Sequence, residues 1–213
     1  MRVQLIPTGR LLTNCYILTS EAHHISSLID PGDEVKRILK SMRYPLSQVF
    51  LTHAHFDHIG AVDELFHLLA KKQPIPPTLY IHQNDQNALT EPFINMSFAL
   101  ETPVRIKSPS HTYGEGETFL VGDTTLQVLC TPGHTKGSVC LWDKKGKFLF
   151  SGDTLFEDGY GRTDLPGGDE EEMRESLIRL RGLSSETRIF PGHGPSTTLE
   201  RAFTSQMIRP LLE

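Results

Sequence analysis

Four times along this chain an apolar, β-prone run ends in a residue type that ligates metals. QVFL runs into THAHFDH (52–58), LQVLCTPGH ends at His134, KFLFSGD ends at Asp153 and RIFPGH ends at His193. A side chain at a strand end is held by rigid backbone, while the following loop stays free to shape a pocket. Glycines beside these ends (Gly133, Gly152, Gly192, Gly194) permit tight turns and close backbone approach.

The rest of the chain supplies the scaffold. RVQLI, NCYILT and ISSLID read as strands, the last closed by Pro31-Gly32. Val35, Ile38, Leu39 and Met42 predict a helix over 34–42 with Asp33 as N-cap, and Val62, Leu65, Phe66 and Leu69 predict a second. TLYIH (78–82) is another strand, followed by an irregular insertion or lid from about 90 to 115 that is rich in Pro and Gly. ETFLV, TTLQVLC, SVCLW and KFLFS form a meander; a helix over about 170–181, the strand RIF and a final helix from about 197 complete the chain. Strands alternating with helices in each half imply an α/β sandwich, one domain over residues 1–213.

With 38% apolar and 22% charged residues the chain suits a soluble globular protein. A formal charge of −5 without a basic run argues against nucleic acid or an anionic membrane as partner. No stretch resembles a signal peptide or membrane span, and Cys15, Cys130 and Cys140 follow no CxxC spacing. The expectation is a cytoplasmic protein with buried free thiols. No motif specifies an oligomeric state.

His53, His55, Asp57, His58, His134, Asp153 and His193 are too many donors for one four-coordinate ion. They suit two divalent ions sharing one carboxylate. His53 and His55, two apart in extended backbone, point the same way, and Asp57 and His58 lie past the bend. A lone HxH is weak evidence; HxHxDH with three further strand-end ligands is demanding. Nitrogen and oxygen donors without thiolate suit zinc first, with iron or manganese as the other candidates.

THAHFDH, His134 in TPGHTKGS, Asp153 in SGDTLF and His193 in PGHG together resemble the metallo-β-lactamase superfamily motif set, in family order over about residues 10–200. The resemblance implies an αββα sandwich with the site at one edge of the two sheets. It assigns His53, His55 and His134 to one metal, Asp57, His58 and His193 to a second, and Asp153 to both. Within the superfamily, GDTLFEDGYGRTDLPGGD resembles the glyoxalase II-like hydrolases, and its GRTD stretch also resembles persulfide dioxygenases. True β-lactamases are the poorer match, being exported.

Two metal ions, two carboxylates and a hydroxide would stabilise the oxyanion formed as hydroxide attacks a carbonyl. The resulting expectation is hydrolysis of a small-molecule thioester, such as S-lactoylglutathione, or of an ester or lactone. Asp57 and Asp153 are the candidate catalytic carboxylates. The alternatives are a mononuclear iron persulfide dioxygenase and a binding module with a relic site. Arg162 matches in place a basic residue that holds glutathione in glyoxalase II; an ion pair with Asp164 or Asp158 is the competing role. Two departures bear on glutathione: Pro195 stands where glyoxalase II has a tyrosine, and the C-terminal helical domain of glyoxalase II has no counterpart before Glu213. His23, His24, His67 and His111 read as surface residues, His82 as a residue on a pocket rim, Asp30 as a support for ligands or a turn former, and Tyr113 and Tyr160 as candidate substrate contacts.

Overall fold

Successive residues of a strand face opposite ways, so a strand that is apolar throughout must be covered on both sides. The central strands here are of that kind. In the computed structural model, which describes residues 1–212, the neighbours Leu28 and Ile29, Val49 and Phe50, Leu149 and Phe150, and Ile189 and Phe190 are all buried. The first of each pair packs outward beneath helices; the second packs inward between two sheets.

The first sheet has the order β1 (Arg2–Thr8), β2 (Thr13–Ser20), β3 (Ile25–Ile29), β4 (Leu46–Phe50), β5 (Thr78–His82) and β6 (Ser110–Tyr113). The first three strands pair antiparallel and the last four pair parallel. The second sheet, in chain order β7 (Thr118–Val121), β8 (Thr124–Cys130), β9 (Val139–Asp143), β10 (Phe148–Gly152), β11 (Arg188–Pro191) and β12 (Thr197–Thr198), is antiparallel except for β10–β11. Parallel pairs need crossovers. These are α1 (Val35–Ser41) for β3–β4, α2 (Phe56–Ile59) with α3 (Val62–Leu69) for β4–β5, the 3₁₀ helix Gln83–Leu89 with the segment after it for β5–β6, and α4 (Glu170–Arg181) for β10–β11; α5 (Leu199–Ala202) and α6 (Arg209–Leu212) follow. The layers are therefore αββα, as expected.

Aromatic side chains fill the middle layer, with Phe150 stacked on Phe190 at 5.1 Å and edge-on to Tyr16 at 5.3 Å between ring centroids. The pairings send β3 and β4 one way, and β8, β10 and β11 one way. Their C-terminal ends meet at one rim, where Val139 N donates to Thr52 O (2.9 Å) and Asn14 N to Gly192 O (2.7 Å).

Several local expectations change. Glu34, not Asp33, takes the cap position of α1, at φ 55° and without a side-chain cap; Asp33 Oδ1 accepts the Glu34 N–H. Residues 110–113, inside the expected irregular segment, form the edge strand β6, whose exposed face removes the apolar alternation that would have revealed it. The final helix gives way to the two-residue β12 and the short α5, because Thr197 and Ile189 pair across the sheet edge. Tyr113 is fully buried with its hydroxyl donating to Leu51 O (2.6 Å), so it makes no substrate contact; Tyr160 packs on the outer helical core. Among the described residues no helix is long and apolar enough to cross a membrane.

Candidate metal centre

The loop after β4 carries His53 and His55, and α2 carries Asp57 and His58. The β8–β9 loop brings His134, the end of β10 brings Asp153, and the turn after β11 brings His193. All seven expected donors converge. Among them, His53, His55 and His134 place ligand atoms within 4.8 Å of one another, as do His53, His58 and Asp153, and Asp57, His58 and His193. Asp153 faces both histidine groups: Oδ1 lies 3.4 Å from His58 Nε2, and Oδ2 lies 3.5 Å from His134 Nε2 and 3.6 Å from His193 Nε2.

Four of the five histidines have the far ring nitrogen engaged, which turns Nε2 toward the centre. Nδ1 of His53 meets Thr52 Oγ1 (3.2 Å), that of His58 meets Asp30 Oδ2 (3.0 Å), that of His134 meets Arg162 O (2.7 Å) and that of His193 meets Leu11 O (3.2 Å). His55 differs, with Nδ1 at 2.9 Å from His134 Nε2. Asp30 thus supports the ligands, the first of its two expected roles. Its carboxylate also accepts the Thr52 N–H and hydroxyl, both at 2.7 Å, leaving the Thr52 oxygen free to accept from His53.

Crowding of this kind needs glycine. A Cβ on Gly192 would lie 2.2 Å from Asp153 Oδ1 and 2.8 Å from His58 Cε1, and one on Gly152, at φ 48°, would lie 2.3 Å from Thr52 Oγ1.

Burial pushes the His53 ring far below the ordinary histidine range and takes His55 down to about 3, so both keep a free lone pair. Burial acts the same way on His58, but Asp57, Asp153 and Asp30 outweigh it and hold that ring well above its usual range. Burial alone would raise Asp57 and Asp153; His58, with help from His193 and, for Asp57, the Thr13 hydroxyl (2.7 Å), holds both below the usual carboxylate range. This buried site demands positive charge. A proton on His58 meets the demand in part, and a divalent cation meets it more fully.

The fit to metal rests on atoms that have nothing else to bind. Among the described residues, Nε2 of His53 and His58 and Oδ1 of Asp153 are buried without a hydrogen-bond partner, while His55 presents Nδ1 to the same centre. Leaving such polar atoms unpaired costs about 1–3 kcal/mol each, so their convergence favours two ligand sets sharing Asp153.

Sequence reasoning missed Asp85. It lies in the 3₁₀ helix Gln83–Leu89 and is buried, and its carboxylate accepts Ala54 N (3.1 Å), Thr135 Oγ1 (2.8 Å) and Gly137 N (2.8 Å). One side chain therefore ties the His53/His55 loop to the His134 loop. An isolated Asp in QNDQN signals no more than a helix cap, and the cap is in fact His82, whose Nδ1 accepts the Asn84 N–H at 3.3 Å. Arg162 is exposed and makes a two-pronged pair with Asp164 (2.7 and 2.6 Å), while its carbonyl orients His134.

The family model described as the metallo-beta-lactamase superfamily matches residues 8–193. A probable metallo-hydrolase, YqgX of Bacillus subtilis, is 37% identical, covering 100% of this chain and 98% of that one. Hydroxyacylglutathione hydrolase GloC of Haemophilus influenzae is 29% identical over 93% of each. Among solved structures, TTHA1623 in a di-iron-bound form is 37% identical with a TM-score of 0.83, covering 96% of this chain and 99% of that one. The B3 metallo-beta-lactamase BLEG-1 has a TM-score of 0.88 at 32% identity over 99% of each chain, so the expectation that β-lactamases match poorly does not hold. ETHE1 of Myxococcus xanthus has a TM-score of 0.75 at 28% identity, covering 100% of this chain and 85% of that one. The αββα layers, the donors gathered at one rim and these matches lead to one conclusion: the chain belongs to the metallo-β-lactamase superfamily.

Proposed function

We propose that this protein is a metal-dependent hydrolase that cleaves a small-molecule thioester or ester, S-lactoylglutathione among the candidates, at this centre. The observation that carries the reading is the convergence of buried, unpartnered donors around Asp153. Divalent ions bound there would supply a hydroxide nucleophile at neutral pH and a Lewis acid for the carbonyl oxygen. His53, His55 and His134 would hold one ion and Asp57, His58 and His193 the other, with Asp153 reaching both. Zinc suits these donors, and the di-iron form of TTHA1623 supports iron equally. Thr13 donates to the Asp57 carboxylate and His193 lies against it, which supports Asp57 as a ligand on that side of the centre.

Arg162 is the proposed anchor for a substrate carboxylate. Its pair with Asp164 is exposed, where water screens the attraction, so the guanidinium can exchange partners at little cost. Arg162→Ala should raise KM for an acidic thioester well above its effect on a neutral one. Equal effects would leave Arg162 a structural residue.

The GRTD stretch (161–164), which resembles persulfide dioxygenases, supports a second reading, a persulfide dioxygenase using one iron. A panel of thioesters, lactones, β-lactams and persulfides, assayed on protein of measured metal content, separates the two. The hydrolase reading expects zinc-loaded protein to cleave a thioester under strict anaerobiosis. Oxygen uptake matched to persulfide loss, with negligible thioester cleavage, would overturn it.

A further inference from the structure

Six of the eleven large apolar side chains exposed among the described residues lie on two segments that border the metal centre. Leu11 and Leu12 (54% and 64% exposed) form the β1–β2 hairpin tip; Phe93, Ile94, Phe98 and Leu100 (65%, 40%, 54% and 40%) follow the 3₁₀ helix. The other five are scattered over separate elements. Clusters of exposed apolar surface mark binding sites far more often than chance exposure does.

Both segments are tied to the donor set. Leu11 O faces His193 Nδ1. Phe56 N, between His55 and Asp57, donates to Asn95 O (2.9 Å), and buried Asn95 is itself held through Nδ2 to Ala88 O (2.8 Å) and Val104 O (3.0 Å). Each segment also lines a cavity that reaches a donor. One of about 350 Å³ contains His55, Phe93 and Ile94; one of about 280 Å³ contains Asp57, Leu11 and Leu100. The larger cavity's one cation, Lys136, is already paired with Glu172 (2.9 Å). That cavity rewards an apolar group more than an anion.

We propose that the centre acts on thioesters or esters whose acyl group is a medium-length apolar chain, seated against Phe93 and Ile94 in preference to a short hydroxyacyl group. This rests on the hydrolase reading and narrows its substrate class. In the reaction the water oxygen bonds to the acyl carbon and the carbon–sulfur bond breaks. The thiol departs with one proton of the water and the carboxylic acid retains the other.

The test is a series of acyl thioesters of one small neutral thiol, acetyl to octanoyl, on metal-replete protein. At ~0.8 kcal/mol per buried methylene, kcat/KM should rise about fourfold per carbon while the chain is being buried. Phe93→Ser should flatten the series, and Leu120→Ser, at an exposed leucine of β7, should leave its slope intact. A flat series in the unsubstituted protein, or an unchanged slope in Phe93→Ser, overturns the proposal. If neither this series, nor S-lactoylglutathione, nor the matching esters are cleaved, the hydrolase reading fails on its own, and calorimetry with octanoate and acetate still tests the cavity. Octanoate should then bind more tightly, and Phe93→Ser should remove the difference; equal binding overturns it. Sedimentation that shows Phe93→Ser dissociating a dimer would make the patch a subunit contact and overturn it too.

Discussion

Asp85→Asn tests whether one buried carboxylate holds two metal-binding loops together. The three groups around Asp85 include two backbone N–H donors, Ala54 on one oxygen and Gly137 on the other. An amide has one acceptor oxygen, so whichever way the substituted side chain turns, its NH₂ faces a buried N–H. Thr135 can adapt, since its hydroxyl also lies 2.8 Å from Ser138 Oγ; the backbone donors cannot. One unsatisfied N–H costs about 1–3 kcal/mol. Burial pushes the Asp85 carboxyl up against its three donors, and relief of that burial offsets part of the loss. The expected net is roughly 1–2 kcal/mol, a fall in Tm of roughly 2–8 °C for a chain of this size. The larger effect falls on metal binding, because the His53/His55 and His134 loops lose their common tether; supports of this kind contribute about 10–100-fold in affinity. Thermal unfolding of chelator-treated protein measures the first quantity, and competition against a chromophoric chelator measures the second. Unchanged affinity at the tighter site, with Tm shifted by less than about 1 °C, would refute the tether.

Asp153→Ala should lose both ions by elemental analysis, since its oxygens face both histidine groups; retention of one ion would remove its shared role. Gly192→Ala should displace the Asp153 carboxylate, given the 2.2 Å approach of its Cβ, and lower metal content while circular dichroism stays native; full metal content would show that the rim yields. In metal-free protein the raised His58 contributes stability that is complete below the ordinary histidine value of ~6.5 and is lost as pH rises through its higher folded value. Tm of chelator-treated protein should therefore fall on the alkaline side, and Asp30→Asn, which removes one carboxylate from His58, should shift that fall to lower pH. A Tm profile identical in the two proteins would contradict the charge argument. Metal binding that displaces this proton should release acid, measurable as buffer-dependent heat.

Much of this protein was legible from residue types alone. The seven expected donors come together at one rim, and they could be singled out because each motif couples a local signal, an apolar run, to a residue type with narrow chemistry. Strands alternating with helices implied an α/β sandwich, and its αββα order of layers followed from the resemblance of the motif set to the metallo-β-lactamase superfamily. What the residues could not disclose depends on neighbours distant in sequence. Asp85 gains its role from Ala54 and Thr135, 31 and 50 positions away, and in QNDQN nothing marks it. β6 is a strand only because β5 offers an edge to pair with, and the Tyr113 hydroxyl is committed to Leu51 O by the same pairing. Phe93 and Leu11 look like ordinary loop residues until the fold sets each in a cavity beside a donor. Local pattern determines which segments are strands and which side chains can bind metal; only tertiary packing determines which groups hold those side chains and what surrounds them, since hydrogen bonds and cavities form between segments rather than along them.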